Sequence, residues 1–179
     1  MEVLTKSVEE TQKFSESFAK QLRPGDMLLL FGNLGAGKTT FMQGLARGLG
    51  IQRRIISPTF IIVRSYDVLS VIANGVKQSH ANNEIVASSF DKPRTPRNDD
   101  LKSSHFAQII QKLYHIDLYR TETRHDLEGI GLFDILQDKD AIVAVEWPEK
   151  LGSFLPEKRW EIHFETLDES TRKITIEKK

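Results

Sequence analysis

Four side chains in this sequence have the types and surroundings that phosphate chemistry needs: Lys38, Thr39, Asp117 and Glu146. The first two close the stretch Gly32-Asn33-Leu34-Gly35-Ala36-Gly37-Lys38-Thr39, which fits the phosphate-loop pattern G-x-x-x-x-G-K-[ST] and runs on into Thr40. In such a loop the backbone N–H groups from Asn33 to Thr40 converge on phosphate oxygens, and glycine keeps side chains out of the way. Lys38 would set its ammonium against the β- and γ-phosphates, and the Thr39 hydroxyl would ligate Mg²⁺. A plain glycine-rich turn would match the same short pattern, so context decides. Met27-Leu28-Leu29-Leu30-Phe31 before it is a short apolar run suited to a buried strand. Phe41, Leu45 and Leu49 after it recur at helical spacing, with Ala46 beside them, and Gly48 and Gly50 bring that helix to a stop.

A site of this kind needs an acid at a second strand end to hold the metal and its waters. Glu146 directly follows the apolar run Ala141-Ile142-Val143-Ala144-Val145, a strand for the middle of a parallel sheet, and α/β folds place ligands at that carboxyl end. A metal or water role for Glu146 is preferred over that of a plain surface acid. Asp117 lies in the alternating run Tyr114-His115-Ile116-Asp117-Leu118-Tyr119, where a buried carboxylate demands a cation or a donor. A metal or a structural salt bridge would each satisfy it. Trp147 either covers the nucleotide or a partner surface, or packs in the core, and His115 reads as a core or edge histidine rather than a base. Ser57-Pro58-Thr59 stands where nucleoside triphosphatases carry a γ-phosphate-sensing loop, with a simple loop cap as the equal alternative. Asp126-Leu127-Glu128-Gly129 spells D-x-x-G, but no [NT]-K-x-D guanine signature follows it.

These residues need an α/β frame to hold them. At 179 residues the chain is one domain by length. Basic and acidic residues balance at 25 each, so no global field recommends a nucleic acid or anionic membrane as partner. Cysteine is absent, which removes disulfides and thiol-based sites. No apolar run reaches the ~18 residues of a membrane span, and no signal peptide begins the chain, so a cytoplasmic location with no membrane partner is expected. Residues 2–6 suit an edge strand, and Ser7 suits the N-cap of a helix whose apolar stripe is Val8, Phe14, Phe18, Ala19 and Leu22. Ile61 to Tyr66 is a strand by composition, and strands are expected to end near Tyr119 and at Val145. The alternating runs from Trp160 and from Arg172 read as an antiparallel pair on the sheet edge.

Residues 69–106 differ in texture, rich in turn formers and thin in apolar residues, and read as a polar surface insertion. Arg94, Arg97 and Lys102 could touch RNA, but a solvated insert is the better reading, since base-stacking aromatics are few.

Taken together, the phosphate loop, Ser57-Pro58-Thr59-Phe60, His115-Ile116-Asp117-Leu118-Tyr119-Arg120, Gly131-Leu132 and Val145-Glu146-Trp147-Pro148-Glu149 resemble, in order and spacing, the bacterial TsaE family. The likeness covers nearly the whole chain outside the insertion. It implies a P-loop NTPase-like three-layer α/β sandwich with a mostly parallel central sheet and an antiparallel C-terminal strand pair. It also implies the small Mg²⁺-dependent ATPase of tRNA threonylcarbamoyladenosine synthesis, which binds a complex of TsaB and TsaD, hydrolyses ATP to reset it, and meets tRNA only through that complex. The roles that follow are Lys38 on phosphates, Thr39 on Mg²⁺, Thr59 as γ-phosphate switch, Asp117 and Glu146 on the metal and its waters, and Trp147 beside the nucleotide. Asn33 stands where the family commonly has Asp. The insertion is the main departure, with a texture resembling the in-frame product of a mobile palindromic repeat. The competing readings are a stand-alone small-molecule kinase or nucleotidase with the same loop, and a nucleotide-gated binding module.

Overall fold

The run Met27–Phe31 can be apolar on both faces because it becomes the middle strand of a sheet covered on both sides. In the computed structural model, which describes residues 1–58, 62–68, 110–121 and 123–179, the strands are β1 (Glu2–Thr5), β2 (Met27–Phe31), β3 (Val63–Asp67), β4 (Lys112–Asp117), β5 (Ala141–Glu146), β6 (Trp160–Thr166) and β7 (Arg172–Lys178). The helices are α1 (Val8–Phe18), α2 (Lys38–Gly48), α3 (Arg124–Gly129) and α4 (Leu132–Leu136). The strands form one sheet in the order β1-β7-β6-β2-β5-β4-β3. Its centre, β4-β5-β2-β6, is parallel, and β3, β7 and β1 join antiparallel.

The period-2 geometry of strands splits the apolar side chains into two cores. Leu28 and Leu30 of β2 and Ile142 and Ala144 of β5 join Phe18, Phe41, Met42 and Leu45 of the α1–α2 layer. Met27, Leu29, Val143 and Val145 face the other way, onto Leu127, Leu132 and Leu151. The result is an α/β three-layer arrangement.

Three expectations are revised by this topology. β6 and β7 are the antiparallel pair foreseen, but they are not at the edge: β6 pairs in parallel with β2, and β1 covers β7. That leaves the short β1 as the outer strand on this side. Ser7 does cap α1, accepting from the Glu10 N–H at 3.1 Å, yet Val8 is 55 % exposed. The rest of the stripe holds, with Phe18, Ala19 and Leu22 buried and Phe14 packed against the core, but Thr11 and Ser15 are buried as well, and Ser15 lies where α1 meets α2 so closely that a small side chain is needed. Finally, β4 stops at Asp117 rather than Tyr119. The insertion 69–106 and its Arg94, Arg97 and Lys102 lie outside the described residues, as does Ile61.

Candidate functional site

The loop between β2 and α2 carries the pattern's glycines at positive φ, with Gly37 as the N-cap of α2 at φ 101°. A left-handed N-cap without a side chain leaves the first N–H groups of an 11-residue helix open, together with the positive end of its dipole. Ala36 turns its methyl into the core, 1 % exposed, so only its backbone serves the cleft, while Leu34 at the loop tip is 75 % exposed. Lys38, 4 % exposed, donates from Nζ to the carbonyls of Gly32 at 2.6 Å and Asn33 at 3.0 Å. Burial pushes its ammonium below the usual range, while the charges of Glu146, Asp117 and Glu149 work in the opposite direction.

β4 and β5 bring the two acids together by register. Asp117 is the partner of Glu146 across the parallel pair, and both end their strands. Counting back by two from Glu146 gives Ala144 and Ile142, which belong to the α2 side of the sheet. Both carboxylates therefore come up beneath the phosphate loop. Thr39 Oγ1 donates to Glu146 Oε1 at 3.2 Å, tying the end of the loop to the strand-end acid. Asp117 receives the Tyr119 N–H on Oδ1 at 3.0 Å and the Ser57 hydroxyl on Oδ2 at 2.8 Å. Donors thus meet the requirement that a buried carboxylate imposes.

Trp147 packs in the core, as one of its alternatives had it, and also lines the cleft. Its ring packs against the second core and lies 4.2 Å under Lys38 Nζ and 5.1 Å from the Tyr119 ring. The cation–ring contact helps hold Lys38 in place. Its backbone is left-handed, φ 60° and ψ 49°, immediately before Pro148. Such a conformation costs a bulky residue about 1–3 kcal/mol and persists where the surroundings over-determine it. These groups, with Thr40, line one cleft of about 340 Å³, in the range of a small-ligand site.

Two residues of the cluster were not assigned to it from the sequence. Ser57 reads together with Thr59 in the sequence; in the structure the Ser57 hydroxyl reaches Asp117, and Thr59 lies outside the described residues. His115, read as core or edge, is fully buried with Nε2 2.8 Å from Glu146 Oε1. The signal available was its spacing of two from Asp117, which puts both on one face. The D-x-x-G aspartate is elsewhere employed: Asp126 forms a capping box with Thr123 at the start of α3.

Does a metal fit? Among the described residues no group of three or more His, Asp or Glu side chains is arranged as a cage. Magnesium brought in with phosphates keeps several waters and takes one or two carboxylates. Thr39 and Glu146, already within hydrogen-bond reach of each other, and Asp117 beside them supply that donor set.

A glycine loop opening a helix, a buried lysine and two strand-end acids on one sheet define an α/β protein of the phosphate-loop type. The particular family follows from the whole chain. The model of the family "Threonylcarbamoyl adenosine biosynthesis protein TsaE" matches residues 5–81 and 100–174. The chain is 32 % identical over 154 residues to the tRNA threonylcarbamoyladenosine biosynthesis protein TsaE of Borreliella burgdorferi, covering 86 % of this chain and 82 % of that protein. It is also 32 % identical over 172 residues to that of Bacillus subtilis, covering 96 % and 82 %. The crystal structure of Bacillus subtilis YdiB superposes with a TM-score of 0.62 at 27 % identity, over 98 % of this chain and 83 % of that one. The chain belongs to the TsaE family.

Proposed function

We propose that this protein binds ATP with Mg²⁺ in the cleft between the phosphate loop and the ends of β4 and β5, and hydrolyses it to reset a TsaB–TsaD complex during threonylcarbamoylation of tRNA. The single observation that carries the reading is the Thr39–Glu146 hydrogen bond at 3.2 Å. It joins the residue that would ligate the metal to the acid that would order a water, which a mere phosphate-binding turn does not need. The family membership supports the pathway, and the cleft supports the chemistry.

Each residue's part follows from its place. The loop N–H groups and the α2 N-terminus bind phosphate oxygens. Lys38, held by Gly32 and Asn33 with its ammonium buried, offers positive charge toward the β- and γ-phosphates. Thr39, Asp117 and Glu146 hold the metal or its waters, and Glu146 orients the attacking water. Ser57 and the Tyr119 N–H keep Asp117 aimed. Bound Mg²⁺ supplies Lewis acidity and charge neutralisation at the transferring phosphoryl group. Trp147 covers the phosphate end of the cleft.

The test is ATP turnover with and without a TsaB and TsaD pair. ADP and phosphate are expected, slowly from the protein alone and faster with the pair, and Glu146→Gln should bind ATP without hydrolysing it. A phosphorylated small-molecule acceptor would overturn this reading in favour of a kinase. A Glu146→Gln protein that still resets the complex would favour gating by nucleotide binding alone.

A further inference from the structure

His115 has a place in the site that its motif does not announce. β4 sets it two residues before Asp117, opposite Ala144 of β5, on the face that carries Glu146. The ring is fully buried. Nε2 stands 2.8 Å from Glu146 Oε1, and Nδ1 is buried with no hydrogen-bond partner among the described residues. The ring proton therefore belongs on Nε2, where an acceptor waits, rather than on Nδ1, where none does. Thr39 Oγ1 donates to the same oxygen at 3.2 Å. Two donors thus converge on Oε1, and among the described residues none reaches Oε2.

We propose that His115 is a positioning residue for Glu146: its Nε2–H, together with the Thr39 hydroxyl, pins Oε1 and so turns Oε2 toward the metal-bound and attacking waters. The proposal rests on the ATPase reading above and adds to it the identity of the working oxygen and of the group that selects it. A carboxylate held on one oxygen from below cannot rotate its plane freely. A glutamate with three rotatable bonds otherwise spreads its two equivalent oxygens over several orientations, and hydrolysis needs one of them. The histidine also gives this nearly buried acid a donor that comes from neither the loop nor the ligand. Glu146 is thereby set before anything binds. Removing the outer partners of such acids typically lowers metal affinity or activity about 10–100-fold.

Two measurements test it on the full chain. In the first, ¹H–¹⁵N NMR of the nucleotide-free protein, with the ring assigned by loss of its signals in His115→Gln, reads the tautomer directly. A slowly exchanging proton on Nε2, lost or sped up in Glu146→Ala, is expected. A proton on Nδ1 overturns the proposal whatever the activity. In the second, His115→Leu fills the apolar site without a donor, and His115→Gln places an amide N–H near the position of Nε2. With both shown folded by thermal melts, the Leu variant should lose about tenfold or more in kcat with the KM for ATP within about twofold, and Gln should recover most of the loss. Equal losses in Leu and Gln, or none in Leu, overturn the positioning role while leaving the ATPase reading intact. A wild-type protein that hydrolyses no ATP, with or without TsaB and TsaD, overturns both.

Discussion

The two ends of α2 use glycine for opposite purposes. At its N-terminus Gly37 adopts φ 101°, and the space around it is open: an added Cβ would find only Arg172 Cγ, 4.0 Å away. Along its body Gly44 and Gly48 have ordinary helical backbones, and what they lack is room. A Cβ on Gly44 would stand 2.0 Å from Ser15 Oγ and 2.1 Å from the Gln12 carbonyl oxygen, and one on Gly48 would stand 2.5 Å from the Glu16 carbonyl oxygen. One end of the helix is left open, as the proposed phosphate site requires, and the other is built for the approach of α1. The first region gathers buried polar groups around a cleft, while the second closes over Phe18, Phe41 and Leu45. The difference teaches that the proposed function and the stability of the fold are separable along this one helix.

The sharpest way to break that separation is to change one residue at each end. Lys38→Ala should have the largest effect. Removing a buried cation from the proposed anion site should cost about 2–5 kcal/mol, or about thirtyfold to several thousandfold in Kd for ATP. Its melting temperature should stay close to that of the wild type, because burying the ammonium is itself unfavourable. Titration calorimetry and a thermal melt on the same sample check both halves. Gly44→Ala should do the reverse. Alanine gains about 1 kcal/mol over glycine in helix propensity, but the clash is with backbone, which cannot step aside, and overpacking costs about 1–3 kcal/mol or more. A net loss of about 2 kcal/mol predicts a melting temperature about 4–8 °C lower for a chain of this size. Nucleotide affinity of the folded fraction should be unchanged. If Gly44→Ala weakened ATP binding as much as Lys38→Ala, the two regions would be one cooperative unit and the contrast would fail.

What the sequence disclosed divides along the same line. The phosphate loop, the strand before it and the strand ending at Glu146 were legible because each is contiguous: glycine spacing, an unbroken apolar run and the residue after it carry the information locally. The roles of Gly44 and Gly48 were not, because the reason for them sits on α1, and Gly48 read as a helix stop when it is also a contact with Glu16 and Ala19. The placement of β6 between β2 and β7 was hidden for a related reason. Alternation identifies a strand and its faces but says nothing about its neighbours. The role of His115 is not legible in the sequence because its partner Glu146 is 31 residues away, and only the β4–β5 register brings them together. The acids were found because burying a carboxylate raises a question that the sequence itself poses.

The smallest expected effect lies beside the N-terminal end of α2, in the β6–β7 turn. Asp168 Oδ1 accepts from the N–H groups of Ser170 and Thr171, and Arg172, the neighbour of Gly37, fastens the turn by donating from Nη1 to the carbonyls of Asp168, Glu169 and Thr171. The hydrogen bonds from Thr171 and Ser170 favour the charged carboxylate and pull its pKa from 3.8 down to about 2. A carboxyl depressed by folding binds its proton more readily in the unfolded chain. Its contribution to stability is therefore whole above the ordinary carboxyl range and is lost as the pH falls from about 4 to about 2. Asp168→Asn keeps the acceptor and removes the charge. The variant should be slightly less stable than the wild type at pH 6, with urea midpoints that converge progressively at pH 4 and pH 3. Its affinity for ATP should match the wild type, since the side chain serves the turn and not the cleft. A constant gap in midpoint across that pH range would show that geometry, not charge, holds the turn. A loss of nucleotide affinity out of proportion to the loss of stability would extend the ligand-facing region past Gly37 to the hairpin that Arg172 ties down.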